Sequence, residues 1–126
     1  MKSVTIGWFE VPVQNMDRAI AFYEKAFDCK LSKQEMGDLV MAWFPWDQEK
    51  LGAGGSLVLH KDFYKTSDFA GPLIYFSSEN CEIELGRVEK AGGSVLINKK
   101  MIAPDIGYMG VFLDSEGNRI AVHSLA

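Results

Sequence analysis

The stretch Trp8-Phe9-Glu10-Val11-Pro12-Val13 runs into a helix-forming segment and onward to Leu57-Val58-Leu59-His60. It is answered later by Leu73-Ile74-Tyr75-Phe76-Ser77, a second helix-forming segment and Ile120-Ala121-Val122-His123. Glu10 and His60 stand 50 residues apart, and Tyr75 and His123 stand 48 apart. A recurrence of that length marks a duplicated supersecondary unit, and it sets the frame for everything else in the chain.

Working outward, residues 3–13 alternate as a strand, and Asn15 caps a helix over 16–27 whose first turn holds Asp17, an acid placed well for the helix dipole. Met16, Ala19, Ile20, Tyr23, Ala26 and Phe27 trace the apolar stripe that such a helix lays on a sheet. Strands are expected at 29–35, 39–45 and 56–60, with Met36-Gly37-Asp38 as a turn and Trp46–Gly55 as a loop. The second unit repeats the order: strand 72–77, helix 81–91 capped by Asn80 and stopped by Gly92-Gly93, strands 94–100 and 108–113, turn Asp114–Asn118, strand 119–124. The chain is thus expected to be one domain of two modules, 1–60 and 72–126, joined by a polar linker over 61–71. One helix per three successive strands is incompatible with a doubly wound parallel sheet. The fold class is α+β: two tandem βαβββ modules forming curved mixed sheets around a cavity, with the helices on the outer faces.

A net charge of −4 and no Lys/Arg cluster argue against a nucleic-acid partner, which needs concentrated cations to displace counterions. Cys29 and Cys81 carry no C-x-x-C spacing and read as reduced thiols at a strand start and a helix start, pointing to the cytoplasm. No apolar run reaches the roughly 18 residues of a membrane helix, so no membrane partner is expected.

Residues Phe9 to Tyr23, FEVPVQNMDRAIAFY, resemble the opening signature of the vicinal oxygen chelate superfamily, the group of glyoxalase I, bleomycin resistance proteins and extradiol dioxygenases. Val88-Glu89-Lys90-Ala91-Gly92-Gly93 resembles the end of its second helix, and Asp114-Ser115-Glu116-Gly117-Asn118-Arg119-Ile120 its last hairpin. The resemblance implies a divalent metal held by His or Glu on the first and last strands of each module. Carried over, those positions fall on Trp8, Val58, Leu73 and Ala121, none of which offers a metal donor. The resemblance also implies a homodimer, with cavities built from the first module of one chain and the second of its mate, so that Glu10 and His60 meet Tyr75 and His123 of the partner.

Side chains two apart on a strand share a face, so Glu10, Tyr75, His60 and His123 face the same way as those four positions. Under the repeat Glu10 corresponds to Tyr75 and His60 to His123. Glu10, His60 and His123 are therefore the candidate catalytic residues, as acid and base or as ligands of a displaced divalent metal, with Trp8 and Tyr75 as ligand-binding candidates. The alternative is that both histidines are solvated at strand ends and that Glu10 is an interior carboxylate satisfied by Tyr75 or backbone amides. Trp8, Trp43, Trp46, Phe44 and Tyr108 supply aromatics suited to a planar ligand, Trp8 foremost by its position. Gly52-Ala53-Gly54-Gly55 precedes a strand, lacks the helix N-terminus of a phosphate cradle and reads as a mobile loop over the cavity mouth. Three functions follow: a small-molecule-binding protein without the standard metal, resembling bleomycin resistance proteins; a glyoxalase-type lyase or isomerase with a shifted metal at Glu10, His60 and His123; or an antitoxin-like or regulatory partner for another protein, which would require an exposed apolar patch.

Overall fold

The computed structural model describes residues 2–126. Module one runs β1 (Trp8–Pro12), α1 (Met16–Phe27), β2 (Ser32–Met36), β3 (Leu39–Trp43) and β4 (Gly54–Leu59). Module two runs β5 (Tyr75–Ser77), α2 (Cys81–Leu85), α3 (Val88–Ala91), β6 (Ser94–Ala103), β7 (Gly107–Leu113) and β8 (Arg119–Ser124). The strand orders are β1-β4-β3-β2 and β5-β8-β7-β6, with β1/β4 and β5/β8 parallel and the remaining pairs antiparallel. The duplication is thereby a duplication of topology.

Several boundaries differ from the sequence reading. β1 begins at Trp8, leaving Val4 and Ile6 exposed. Cys29 is not a strand start: α1 ends with Asp28 in the left-handed conformation, and β2 begins three residues after Cys29. The expected helix over 81–91 is two short helices parted at Gly86-Arg87, where the poorest helix former short of proline interrupts the run. Gly54 and Gly55 belong to β4, not to a mobile loop. The ring of Trp46 lies against Gly54, where an added Cβ would meet it at 2.6 Å, and the ring of Phe9 lies against Gly55 on the opposite face, at 2.3 Å. Paired glycines inside a strand thus mark the close approach of two aromatic rings.

The helix-bearing faces of both sheets share one core. Asn15 caps α1, its side chain accepting from the Arg18 amide at 3.0 Å, and the helix buries Met16, Ala19, Phe22, Tyr23 and Ala26. Phe9 and Phe76, one from the first strand of each module, meet edge to face at 5.4 Å, and Phe22 approaches Phe112 at 5.9 Å.

A polar clamp fixes the modules' relative position. The buried Glu116 carboxylate in the β7–β8 turn accepts from the amides of Gln14 and Asn15 at 2.8 and 2.7 Å and from the Arg18 guanidinium at 2.7 and 3.0 Å. Asp114 accepts from the Tyr23 hydroxyl at 2.6 Å, and Asn118 donates to the Pro12 carbonyl at 2.6 Å. Burial pushes Glu116 upward, but the hydrogen bonds from Arg18, Asn15, Gln14 and Ser115 outweigh it and hold its carboxyl below the ordinary range. Burial dominates at Asp114 and raises it, and burial with the neighbouring Asp114 charge pushes the Tyr23 phenol well up. The turn therefore grips the β1–α1 corner and keeps the edges of β1 and β5 side by side.

Candidate functional site

β1 and β5 each hydrogen-bond to one neighbouring strand, and their other edges border a trough with a volume of about 630 Å³. Phe9 and Phe76 line it beside Trp8 and Glu10 from β1, and Tyr75 and Ser77 from β5. Three sequence candidates, Trp8, Glu10 and Tyr75, thus line one cavity within a single chain. The lining is largely apolar, with four aromatic rings among aliphatic side chains and Glu10 its one carboxylate, a composition that suits an apolar or planar ligand with a polar group to be oriented.

Glu10 is half-buried and accepts from the Tyr64 hydroxyl at 2.5 Å. Tyr64 comes from the linker and was not singled out by the sequence, which offered Tyr75 as Glu10's partner; only the folded linker places it there. The hydrogen bond to Glu10, with some burial and the carboxylate's charge, raises the Tyr64 phenol above its ordinary value.

The histidines go elsewhere. His60 lies one residue past β4, its Nδ1 accepting from the Asp62 amide at 3.3 Å and its ring edge-on to Phe63 at 5.5 Å. It lines smaller surface pockets with residues such as Asp62 and Gln14. His123 sits in β8, where Nε2 and the Ile106 carbonyl oxygen are 2.7 Å apart, which sets that nitrogen as the protonated one. Among the described residues no group of three or more His, Cys, Asp or Glu side chains is gathered closely enough to hold a metal ion. Within one chain Glu10, His60 and His123 therefore do not converge.

Nor are the two histidines counterparts. Glu10 is paired with Ser56 across β1/β4, and Tyr75 with Ala121 across β5/β8, so Ser56 corresponds to Ala121. One step along, Pro12 pairs with Val58 and Ser77 with His123, which makes Val58 the counterpart of His123. The two-residue difference between the spacings of 50 and 48 is this shift. Val58 and Ala121, two of the four carried-over metal positions, are fully buried, while Trp8 is 37% exposed and Leu73 half-buried before β5.

Beside the trough, the same face of the first sheet carries an indole cluster. Trp8 and Trp43 meet edge to face at 5.6 Å, and Trp8 and Trp46 at 6.3 Å. Gly54, beneath Trp46 and paired with Trp8, lets these rings lie close to the sheet. Phe44 turns into the core against Phe9 and Tyr23, and Tyr108 packs on the core with the Lys99 ammonium 4.5 Å over its ring, so neither belongs to the site.

Residues 5–122 match the family model of the Glyoxalase/Bleomycin resistance protein/Dioxygenase superfamily. The chain belongs to this superfamily. Among solved structures it is similar to a glyoxylase/bleomycin resistance protein/dioxygenase domain from Frankia sp. EAN1pec, with 17% identity, 98% of each chain covered and a TM-score of 0.73. It is likewise similar to TnmS3, an antibiotic binding protein from Streptomyces sp. CB03234, with 21% identity, 100% and 99% coverage and a TM-score of 0.68. Glyoxalase I from Zea mays matches with 15% identity and a TM-score of 0.72 over 93% of this chain. The present chain spans 43% of that maize enzyme, less than half its length. No curated protein matches the sequence. These likenesses establish the superfamily's fold, with its paired mixed sheets, for this chain.

Proposed function

We propose that this superfamily member is a small-molecule-binding protein that works without the standard metal ligands and holds a small apolar or planar ligand in the trough between β1 and β5. The observation that carries the reading is the trough's lining, in which Trp8 stands with Tyr75, Phe9 and Phe76; the superfamily resemblance implies a metal ligand where this chain has Trp8. An aromatic wall there favours stacking over coordination. Glu10, held by Tyr64, supplies an acceptor for a polar group of the ligand. Likeness to an antibiotic binding protein over nearly the whole of both chains supports binding as the activity. Half-exposed Leu96, Ile97, Met101 and Ile102 on the edge strand β6 support the homodimer that the resemblance implies. The free thiols of Cys29 and Cys81 agree with a reducing, cytoplasmic setting.

The test joins metal analysis to titration. Untagged protein purified without chelator is expected to carry no stoichiometric metal, in wild type or in a His60→Ala/His123→Ala variant. Naphthalene titrated into wild type should bind, and Trp8→Ala should weaken it about two- to tenfold, the range of one aromatic contact. Stoichiometric metal lost with the histidines, accompanied by turnover, would replace this reading with a metal-dependent lyase.

A further inference from the structure

Ser56 is fully buried, and its Oγ is the one buried side-chain oxygen or nitrogen among the described residues with no hydrogen-bond partner. Buried hydroxyls are ordinarily paired, so an orphan in the middle of a sheet needs an account. Its surroundings give one. Ser56 pairs with Glu10 on one side and Trp43 on the other, which puts it on the face that carries Trp8 and the trough. Next along that face lie Val58 and Met41, both buried and apolar, and Gly54, which has no side chain. Glu10 is the only polar neighbour in its row, and one of its carboxylate oxygens is already engaged by Tyr64.

Above this floor stands the indole cluster. Trp8 reaches from β1 and Trp43 from β3 until their rings meet across β4, and Trp46 covers Gly54. The three indoles remain 37%, 42% and 49% exposed, so their outer faces are open while Ser56 beneath them is closed off. Trp8 is shared between this cluster and the trough, so the two form one continuous surface.

We propose that the indole cluster is a self-filled slot: a planar aromatic ligand enters between the indoles from the trough, and Ser56 Oγ hydrogen-bonds a polar group on the ligand's edge. This assignment rests on the binding function proposed above and narrows it, from an apolar or planar ligand to a planar aromatic one with a hydrogen-bonding edge substituent. With the slot closed, Ser56 Oγ is shut off from bulk solvent and has no hydrogen-bond partner within the protein. A ligand carrying a hydroxyl at its edge restores that partner, whereas the bare ring does not. Ser56 is thus a specificity-determining residue, discriminating among ligands of equal shape.

The experiment compares 2-naphthol with naphthalene, the same ring system with and without a hydroxyl. Both are titrated calorimetrically into wild type, Ser56→Ala and Glu10→Gln, with the indole N–H resonances of Trp8, Trp43 and Trp46 followed by NMR. Wild type should prefer 2-naphthol about two- to tenfold, the range of one neutral hydrogen bond. Ser56→Ala should abolish that preference while leaving naphthalene affinity and melting temperature undiminished, and all three indole signals should shift on binding. If the preference survives Ser56→Ala but disappears in Glu10→Gln, the hydroxyl is read in the trough: the Ser56 assignment is overturned and the binding function stands. Absence of binding by either compound overturns both.

Discussion

Replacing Glu116 by alanine would test whether the β7–β8 turn holds the two modules together as its geometry indicates. The carboxylate accepts two backbone amides, Gln14 and Asn15, and two guanidinium contacts from Arg18, all from the other module. An amide left unpaired on burial costs about 1–3 kcal/mol. Gln14 and Asn15 are themselves exposed residues, so water recovers part of that loss. A net destabilisation of about 2–3 kcal/mol follows from about 1–1.5 kcal/mol for each amide, the low end of that range. With an unfolding entropy of about 2.1 cal/mol/K per residue, 126 residues lose about 4 °C per kcal/mol, so the melting temperature should fall about 8–12 °C. Thermal unfolding followed by circular dichroism reads this directly. The acid limb supplies a second readout. Because the folded Glu116 carboxyl lies below its ordinary value, its stabilisation is complete above the unfolded value of about 4.3 and is lost as pH falls through the lower folded value. Asp114, raised by burial, works in the opposite sense, and it is common to both proteins, so the difference between wild type and variant isolates Glu116. That difference should narrow below pH 4.3, the unfolded carboxylate value, by about one proton's worth of slope. A melting temperature within 2 °C of wild type, or a difference independent of pH, would refute the clamp.

Two further perturbations address the site. Gly55→Ala drives a methyl into the Phe9 ring in the core and should cost about 1–3 kcal/mol in denaturant unfolding, the usual range for overpacking. Gly54→Ala meets only the half-exposed Trp46, which can swing away, so it should cost less and instead shift tryptophan emission to the red. In an alkaline titration followed at 295 nm, the wavelength of phenolate absorbance, Glu10→Gln should return one late-ionising tyrosine, Tyr64, toward the ordinary value of about 10 while Tyr23 stays high. Tyr64→Phe should remove that same transition.

How much of this was legible in the sequence depends on whether the information was local. The cap at Asn15, the α1 stripe and the turn at 114–118 are set by residues within a few positions of each other, and the structure places them as expected. The superfamily's last-hairpin signature was also legible, although its physical meaning was not. Asp114, Glu116 and Asn118 reach back 91, 101 and 106 residues to the β1–α1 corner, and no short-range pattern encodes such a distance. Face parity worked as well: Trp8, Glu10 and Tyr75 come to one trough because side chains two apart share a face.

Register was where the reading failed, and the failure is informative. Parity fixes the face of a side chain, but not which residue lies opposite it on the next strand. A two-residue slip preserves every face and changes every partner. The equivalence of His60 and His123 depended on register, and the observed pairings set Val58 against His123 instead. Ser56 escaped notice for the same reason, since nothing in Gly54-Gly55-Ser56 shows that Glu10 and Trp43 flank it or that indoles close over it. The paired glycines were the available signal, because two adjacent positions without side chains inside a strand need something large on both faces. Following that signal from Gly54 to Trp46, and from Trp46 through Trp8 to the trough, leads to the proposed site through packing contacts.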